Sequence, residues 1–447
     1  MKKTRATEPT SRRSRRDFLK KSSLLAAGAA VMGNLGLAGT VHAAGSDTIK
    51  IALVGCGGRG GGAAVNALRN VSHPNIKLWA MADAFADRIG SSLRGITEAV
   101  EAKEKIDVPE ERRFAGLDAY DKVMNSDVDA VLLCTPPGFR PMQFEAAVKG
   151  GKHVFMEKPL ATDVPGVRRI MAANEEAKKK GLAVAVGHHL RHERKHIEVV
   201  HRAHDGAIGD LKFLRVFYDS DGVGIHPRQP DETELQYQIR NWYYFVWLGG
   251  DHIVEQHVHD IDVGNWFAKG HPVEAEGMGG RQVRVGKDVG EIFDHHAVEF
   301  TYGSGLKMFS YCRHIPNCWE SFSQHAHGTK GTVDIEGHGT SVLTVDGQPP
   351  LKFRREHDGH QIEMNDLFAA IQSGTPYNEA DWAAESTMTA ILGRMATYSG
   401  KVVTWDEAMK SNLDLHPKQI SWDAEPPVKP GPDGLYACAV PGVTKAW

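Results

Sequence analysis

A glycine-rich segment near the start of the chain has the spacing of a nucleotide-binding turn. Gly55, Gly57 and Gly60 form the pattern G-x-G-x-x-G, directly after the apolar run 49–54 and before a segment with helical spacing. The first glycine permits a tight turn, the second lets a pyrophosphate approach the backbone, and the third lets the helix pack on the strand. We expect this turn, including Arg59, to bind a dinucleotide; a purely structural turn is the alternative.

The residue that ends the next apolar run indicates which dinucleotide is bound. Asp83 follows the run 76–82, where its carboxylate can accept a hydrogen bond from the ribose 2′-hydroxyl of NAD. The same carboxylate would repel the 2′-phosphate of NADP. Ala84 and Phe85 come next, so no basic residue stands directly beside it, although Arg88 lies one turn further on. We therefore predict NAD as the cofactor, with NADP less favoured.

Two further strand ends carry residues that we expect at the cofactor. Thr135 and Pro136 follow one apolar run, and Glu157 and Lys158 follow the next. Ligands of parallel sheets lie outside the carboxyl ends of the strands, so Lys158 is expected to point towards the nicotinamide. A lysine in that position can hydrogen-bond a substrate hydroxyl and share its proton. A surface lysine at a strand end is the alternative interpretation.

Polar and aromatic residues further along the chain are candidates for substrate binding. His188 and Arg191 follow the last strand of the first half, where a site between two domains would be lined by them. A solvated histidine-rich loop is the alternative there. Arg240 and Trp242 precede the helical segment 251–267, and an aromatic ring beside polar side chains suits a sugar. A tryptophan of the core is the alternative at that position.

The segment 251–267 has the apolar spacing of one continuous helix. On such a helix Glu255 and His259, four residues apart, share one face, so the carboxylate can orient the imidazole. His252 and Asp262 extend the same stripe, which raises the possibility of a metal site. No dense ligand motif accompanies the stripe, and we predict no metal.

The pattern of apolar runs changes near residue 187. Short buried runs alternate with helical segments from 48 to 187, which predicts a doubly wound parallel sheet. Beyond it, turn-bounded runs alternate apolar and polar residues, which predicts an α+β domain whose largely antiparallel sheet has one covered face. We divide the chain into a leader at 1–43, a Rossmann domain at 48–187, a second domain at 188–405 and an extended tail at 406–447.

The first residues have the features of a twin-arginine export leader. Arg15 and Arg16 precede the uncharged run 22–38 and a small-residue exit at 41–44. This route exports folded proteins, so we expect a periplasmic protein that carries its cofactor with it and recycles it. The run 22–38 is short and rich in Ala and Gly, and we expect no membrane association after the signal is removed.

The composition of the remaining chain excludes some partners. Residues 1–43 hold nine Lys and Arg and two Asp and Glu, which leaves 44 basic and 54 acidic side chains and a formal net charge of −10. A nucleic-acid partner is therefore not expected. The five cysteines show no CxxC spacing; Cys312 and Cys318 could form a disulfide, which sequence separation alone does not establish.

Taken in order, these motifs resemble those of the Gfo/Idh/MocA oxidoreductases, over nearly all of residues 50–403. The resemblance implies a C-terminal open-faced sheet used for substrate binding and often for homo-oligomer formation. It also implies hydride transfer at a sugar-like carbinol. The motifs that carry the resemblance are the glycine turn, Thr135-Pro136-Pro137, Glu157-Lys158-Pro159, and Gly249-Gly250 leading to His259-Asp260-Ile261-Asp262.

By this resemblance Lys158 is the active-site lysine and His259 the catalytic histidine, with Asp260 beside it at the substrate. Many relatives carry an aspartate where this chain has Glu255, and His257 replaces a residue that is usually small. We therefore assign Glu255 to the catalytic group and His257 to the substrate group.

These observations predict an NAD-dependent oxidoreductase acting on a carbohydrate or polyol. A redox-assisted glycosidase, which oxidises, eliminates, hydrates and reduces its substrate on a retained cofactor, is the main alternative. A non-catalytic NAD-bound scaffold is the third, and it requires Lys158 and His259 to be incidental.

Overall fold

The computed structural model describes residues 48–71, 75–337 and 339–447, so the predicted leader lies outside the described residues. The short apolar runs of the first half form a parallel sheet in the order β3-β2-β1-β4-β5-β6, which confirms the predicted Rossmann fold. Its strands are β1 (Ile49–Val54), β2 (Ile76–Asp83), β3 (Arg113–Ala115), β4 (Ala130–Leu133), β5 (His153–Met156) and β6 (Val184–Val186).

Helices connect these strands. Asp163 accepts a hydrogen bond from the amide of Gly166 at 2.8 Å and so caps the helix that follows it, whereas the other four helices of this part have no side-chain cap. The helices of this part are α1 (Gly58–Leu68), α2 (Ala86–Ala99), α3 (Ala119–Met124), α4 (Arg140–Lys149) and α5 (Val164–Lys179).

The second half of the chain builds a nine-stranded sheet in the order β14-β13-β12-β11-β7-β10-β9-β8-β15. Its neighbouring strands are antiparallel except β7 and β10, which confirms the predicted largely antiparallel sheet. The strands are β7 (Leu211–Ser220), β8 (Pro272–Gly280), β9 (His295–Tyr302), β10 (Lys307–His314), β11 (Ser321–Gly328), β12 (Gly331–Glu336), β13 (Ser341–Val345), β14 (Leu351–Phe353) and β15 (Val403–Thr404).

Helices cover one face of this sheet, as predicted. The long helix α12 packs on β8 and β9 and also on α5, so the core of the second sheet is continuous with that of the first. On the opposite face Tyr311 and Trp319 are 38% and 64% exposed. The helices are α6 (Arg194–His204), α7 (Glu234–Arg240), α8 (Val246–Gly249), α9 (His252–Glu255), α10 (Val258–Ala268), α11 (Gly359–Ser373), α12 (Ala380–Ser399) and α13 (Trp405–Met409).

The predicted continuous helix over 251–267 is wrong, because the chain forms two helices, α9 and α10, with a turn between them. Lys158 Nζ donates to the carbonyl oxygen of Glu255 at 2.6 Å, the acceptor that a continuous helix would offer to the amide of His259. That amide bonds the carbonyl of Gln256 instead, at 3.2 Å. Glu255 and His259 therefore do not share a helix face.

Two late segments of the chain return to the first sheet. Met364, Leu367 and Phe368 of α11 pack into the core beneath β1 and β2. The segment 410–447, which has no helix or strand, runs along the surface; His416 contacts the carbonyl of Gly138 at 2.8 Å, and Trp422 lies against Phe85. Residues 47–447 form one compact unit, and the domain boundaries at 187 and 405 remain predictions.

Two further expectations concern membrane association and cysteine pairing. No helix within the described ranges is long and apolar enough to cross a membrane. All five cysteines are free, and the side chains of Cys312 and Cys318 differ in setting, since the first is buried and the second exposed.

Candidate functional site

A cleft lies outside the carboxyl ends of β1, β2 and β4, where the strand order of the first sheet reverses; we call it the cofactor cleft. Gly55, with φ of 97°, lies so close to β4 that a Cβ would be 2.5 Å from the backbone of Cys134. A Cβ on Gly60 would lie 2.0 Å from the Gly55 carbonyl oxygen. At Gly57 and Gly58 a Cβ would meet no neighbouring atom within 4 Å, so their backbone is open to the cleft. This cradle fits the pyrophosphate of a dinucleotide.

Asp83 borders the same cleft at the end of β2. Its carboxylate accepts hydrogen bonds from the amides of Cys56 at 2.7 Å and Phe85 at 2.9 Å, which fix it beside the glycine turn. Burial raises the pKa of this carboxyl, while the two amides oppose the shift. A carboxylate oriented in this way can accept hydrogen bonds from a ribose as well.

Arg59 lies in the glycine turn and lines the cofactor cleft. It forms an ion pair with Glu157 at the end of β5, and its Nη2 lies 3.7 Å from Oε1 of the buried Glu363 on α11. Both charges hold the guanidinium pKa above its usual range, against the effect of burial. Arg59 and Glu157 therefore brace the turn against β5 and α11.

Thr135 and Pro136 line the cofactor cleft after β4, where the sequence predicted them. The Thr135 hydroxyl donates to Oε1 of Gln143 at 2.6 Å. Arg240 and Trp242 also line this cleft, and the Arg240 guanidinium stacks 3.8 Å from the ring of Phe85. Phe85 lies two residues after Asp83, the predicted ribose ligand. Arg240 and Trp242 therefore lie at the nucleotide side of the cleft rather than at the expected substrate position.

Lys158 and Glu255 form a close pair directly after Glu157, the residue that Arg59 of the glycine turn binds. The ammonium lies 3.0 Å from Oε1 of Glu255 and 2.6 Å from its carbonyl oxygen, and the two side chains are only 11% and 13% exposed. A mostly buried ion pair with two contacts holds the ammonium in one position. Glu255 therefore orients the lysine, whereas the sequence predicted that it would orient the histidine.

His259 lies among other imidazoles next to this pair. Its ring centroid is 5.8 Å from that of His188 and 4.9 Å from that of His189, and His189 is 4.1 Å from His360. Burial, followed by the charge of Lys158, holds the pKa of His259 well below its usual range. The ring is therefore neutral at pH 7 and able to accept a proton.

A pocket opens beside His259 between this cluster and the second sheet. His189, Tyr218, Ser220 and Glu320 contribute to its wall, and with them it offers hydroxyl, carboxyl and imidazole groups. Hydroxyl-rich ligands need such a mixture of donors and acceptors. The pocket can thus receive a polyhydroxylated molecule with one end at His259.

Three residues predicted at the substrate are elsewhere. Arg191 makes a two-pronged ion pair with Asp262 at 2.8 and 2.9 Å, outside the pocket beside His259. His257 and Asp260 are fully buried, where His257 also bonds the Ser310 hydroxyl at 2.8 Å. Burial raises the pKa of Asp260 and lowers that of His257. We therefore leave all three out of the substrate site.

His188 is the predicted substrate residue that lies closest to the cluster. It is buried between Asp262, at 3.7 Å, and the ring of Trp382, and burial lowers its pKa to about 4. Its ring packs against that of His259, with the ring centroids 5.8 Å apart.

Several site residues were missed by sequence reasoning. The hydroxyl of Tyr243 is buried without a hydrogen-bond partner among the described residues, and burial, followed by the charge of Glu255, raises its pKa. Tyr218 lines the pocket and is influenced by the same carboxylate. The only sequence signal for Tyr218 was its inward-facing position in β7. His189 follows the predicted residue His188 directly in the sequence, and that position was its signal. No sequence feature near Glu363 indicated that Glu363 belongs to a site.

Comparison with known proteins agrees with this geometry. The NAD-binding Rossmann-fold model of the GFO/IDH/MocA oxidoreductases matches residues 49–188, and the GFO/IDH/MocA C-terminal domain model matches residues 196–334. The two models together cover more than half of the chain. The chain therefore belongs to the GFO/IDH/MocA family, and it is an NAD-binding oxidoreductase.

Individual relatives match most of the chain at low identity. The inositol 2-dehydrogenase of Rhizobium meliloti is 24% identical over 337 residues, which are 73% of this chain and 90% of the relative. That of Rubrobacter xylanophilus is 28% identical over 340 residues, 74% of this chain and 84% of the relative. The crystal structure of an aldose-aldose oxidoreductase from Caulobacter crescentus has a TM-score of 0.63 at 19% identity, and covers 80% of this chain and 99% of its own.

Proposed function

We propose that this chain transfers hydride between its bound NAD and a hydroxyl carbon of a carbohydrate or polyol. The observation that carries the proposal is the Lys158–Glu255 pair near a neutral His259, which lines a polar pocket. Glu157, the neighbour of Lys158 in sequence, is bound by Arg59 of the glycine turn. The names of two relatives, both inositol 2-dehydrogenases, support a polyol as the substrate class.

The chain's own residues hold the cofactor in this proposal. Gly55, Gly57 and Gly60 leave room for the pyrophosphate, and Asp83 accepts the ribose hydroxyls. Thr135 and Pro136 border the nicotinamide side, with Arg59 and Glu157 bracing the turn from behind. Bound NAD supplies the hydride acceptor.

Two side chains handle the substrate proton. Lys158 donates a hydrogen bond to the oxygen of the reacting carbon, and Glu255 keeps the ammonium aimed. His259, whose ring burial keeps neutral, accepts the hydroxyl proton. Tyr218 and His189 contact further hydroxyls of the substrate in the adjoining pocket.

We also propose a periplasmic location and a homo-oligomer. The Arg15-Arg16 pair and the uncharged run after it support export by the twin-arginine route in the folded state. Confinement outside the cytoplasm requires that the cofactor be recycled in place by a second, carbonyl substrate. The exposed aromatic residues Tyr311 and Trp319 on the uncovered sheet face support contact with another copy.

The test is to purify the folded protein without added nucleotide, release its small molecules by denaturation and identify them. We expect NAD. Intact protein is then mixed with a panel of polyols and sugars while the absorbance of NADH is followed; a member of the panel should reduce the bound cofactor. Protein that lacks nucleotide and shows no affinity for it, or that is reduced by no member of a broad panel, contradicts the proposal.

A further inference from the structure

The two halves of the chain meet at the nucleotide end of the cofactor cleft. Arg240, the last residue of α7, stacks its guanidinium 3.8 Å from the ring of Phe85, and it forms an ion pair with Asp87 on α2 at 3.1 Å. Phe85 and Arg240 both line the cleft, and the amide of Phe85 donates to Asp83, the expected ribose ligand. This contact between Arg240 and Phe85 is therefore part of the cleft wall nearest the ribose ligand.

The C-terminal segment 410–447 packs against this wall. The ring of Trp422 lies against that of Phe85, with the two centroids 5.4 Å apart and the planes tilted by 46°. Phe85 lines the cofactor cleft whereas Trp422 does not, so Trp422 supports the wall without forming its surface.

The first part of the segment is fastened to α5 and to the residue that caps it. The Arg168 guanidinium on α5 donates to the carbonyl oxygen of Ser411 at 2.7 Å. The amide of Leu415 donates to the carboxylate of Asp163, the capping residue, at 2.9 Å. These contacts hold the segment on the Rossmann sheet's side of the cleft.

The later part of the segment is fastened to α7. The Gln238 amide group on this helix donates to the carbonyl oxygen of Val428 at 2.8 Å. The Tyr436 hydroxyl donates to the carboxylate of Glu234, at the start of the same helix. The segment thus crosses from α5 to α7, the helix that ends at Arg240, and it contacts Phe85 on the way.

We propose that the segment 410–447 is a strap that retains NAD: it holds Phe85 and Arg240 together, and nucleotide enters and leaves the cleft only when the strap opens. The proposal rests on the proposed function for its purpose, because a cofactor that is recycled in place must stay bound between two substrates. Opening breaks the contact of Trp422 with Phe85 together with the hydrogen bonds to α7, so the open state is sparsely populated.

A strap affects nucleotide exchange differently from a residue that touches the cofactor. Loss of a direct contact destabilises the bound state, so release becomes faster and binding becomes weaker in proportion. A strap that closes the cleft with or without nucleotide slows entry and release by the same factor. Its loss should therefore speed both steps and leave the dissociation constant nearly unchanged.

The first test follows nucleotide exchange without turnover. Protein loaded with NADH is mixed with a large excess of NAD, and the decay of the fluorescence of bound NADH gives the release rate; mixing nucleotide-free protein with NADH gives the entry rate. We expect Trp422→Ala to raise both rates roughly 10-fold, the range for a lost aromatic contact. Trp422→Phe keeps a ring against Phe85, and Val443→Ala changes a side chain of the same segment that is 78% exposed; both should exchange at nearly the wild-type rates.

The second variant disturbs the other end of the strap with little risk to folding. Tyr436→Phe keeps the ring, which packs 5.0 Å from that of Phe245, and loses only the hydroxyl that donates to Glu234. We expect entry and release to be roughly 3-fold faster, the size of one lost hydrogen bond.

Unchanged exchange rates in Trp422→Ala and Tyr436→Phe overturn the proposal. Faster release with proportionally weaker binding and an unchanged entry rate overturns it as well, because the segment would then stabilise the bound state and not gate the cleft. A wild-type protein that exchanges NADH but whose NAD no polyol reduces contradicts the proposed function instead, and the exchange rates still decide whether the strap exists.

Discussion

The ammonium of Lys158 lies 2.6 Å from the carbonyl oxygen of Glu255 and 3.0 Å from its side-chain oxygen. Lys158 thus makes an ion pair and also ends a helix, because it donates to the carbonyl oxygen that would otherwise accept a hydrogen bond from the amide of His259. The turn that results brings His259 out of the helical line of Glu255 and towards the pocket. The position of the histidine therefore depends on the lysine.

Loss of either proton-handling side chain should slow hydride transfer without removing the cofactor. We expect Lys158→Ala and His259→Gln to lower the rate of NADH formation by ~100-fold or more, the range for a lost general acid or base. The rate is measured in a single turnover, and the NAD content is measured on the same samples. Lys149→Ala, an exposed lysine at the end of α4, is the control and should react at the wild-type rate. A wild-type rate in either site variant would remove its assigned role.

Glu255→Gln should have a smaller effect than Lys158→Ala. The amide keeps an oxygen for the ammonium, and the backbone carbonyl contact at 2.6 Å is unchanged, so the lysine stays nearly in place. We expect a roughly 10-fold slower reaction, below the usual effect of losing an acid or base. Glu255→Ala removes the side-chain contact altogether and should be slower again. Equal rates for Glu255→Ala and the wild-type protein would show that the pair does not position Lys158.

Replacement of Asp83 should change the choice between the two dinucleotides. Asp83→Asn keeps an oxygen for one of the two amides that the carboxylate accepts, that of Cys56 or that of Phe85, and loses the charge that repels a 2′-phosphate. We expect NAD to bind roughly 10-fold more weakly, in line with a lost hydrogen bond to a charged group, while NADP binds better. Calorimetric titration of nucleotide-free protein with each dinucleotide measures both. Equal weakening of both would contradict the ribose assignment.

Dependence on an acceptor separates the oxidoreductase from a redox-assisted glycosidase. With a polyol alone, a net oxidoreductase that retains its cofactor should form one NADH per site and then stop until a carbonyl compound is added. A glycosidase should instead release the aglycone of a glycoside over many turnovers, with no net NADH and with solvent deuterium entering sugar C2. We expect the single arrested turnover. Sustained acceptor-free cleavage with exchange at C2 would favour the glycosidase.

Glu291 should make stability depend on pH. Burial raises its pKa from 4.5 to about 7, opposed by a hydrogen bond from the amide of Val246. Because the folded state binds this proton more tightly than the unfolded state, the stabilisation is complete below pH 4.5 and is lost as pH rises through 7. We expect Glu291→Gln to remove ~3 kcal/mol of this loss, the size of a pKa shift from 4.5 to about 7. Denaturant unfolding at pH 5 and pH 8 measures it; parallel changes in the two proteins would contradict the assignment.

Much of the first sheet was predictable because its signals are local. Each strand is a short apolar run that ends at a glycine, proline or polar residue, and the helix after Asp163 begins at its own capping residue. The glycine turn was recognisable for the same reason, since the close approaches of Gly55 and Gly60 are made within one strand–turn–helix unit and its neighbouring strand. Local rules did not reveal that Arg59 turns to Glu157 and Glu363.

The sequence by itself determined the strand and helix alternation, the NAD-binding turn, and the identity of Lys158 and His259 as candidates, because these depend on residues close together in the chain. Only the tertiary structure decided which side chains meet. Lys158 is 97 positions from Glu255, yet their contact interrupts the helix that apolar spacing predicted. The rings of His259, His189 and His360 likewise come together from three separate segments of the chain. Burial decides the charge of each of these groups, and burial exists only after distant segments have packed.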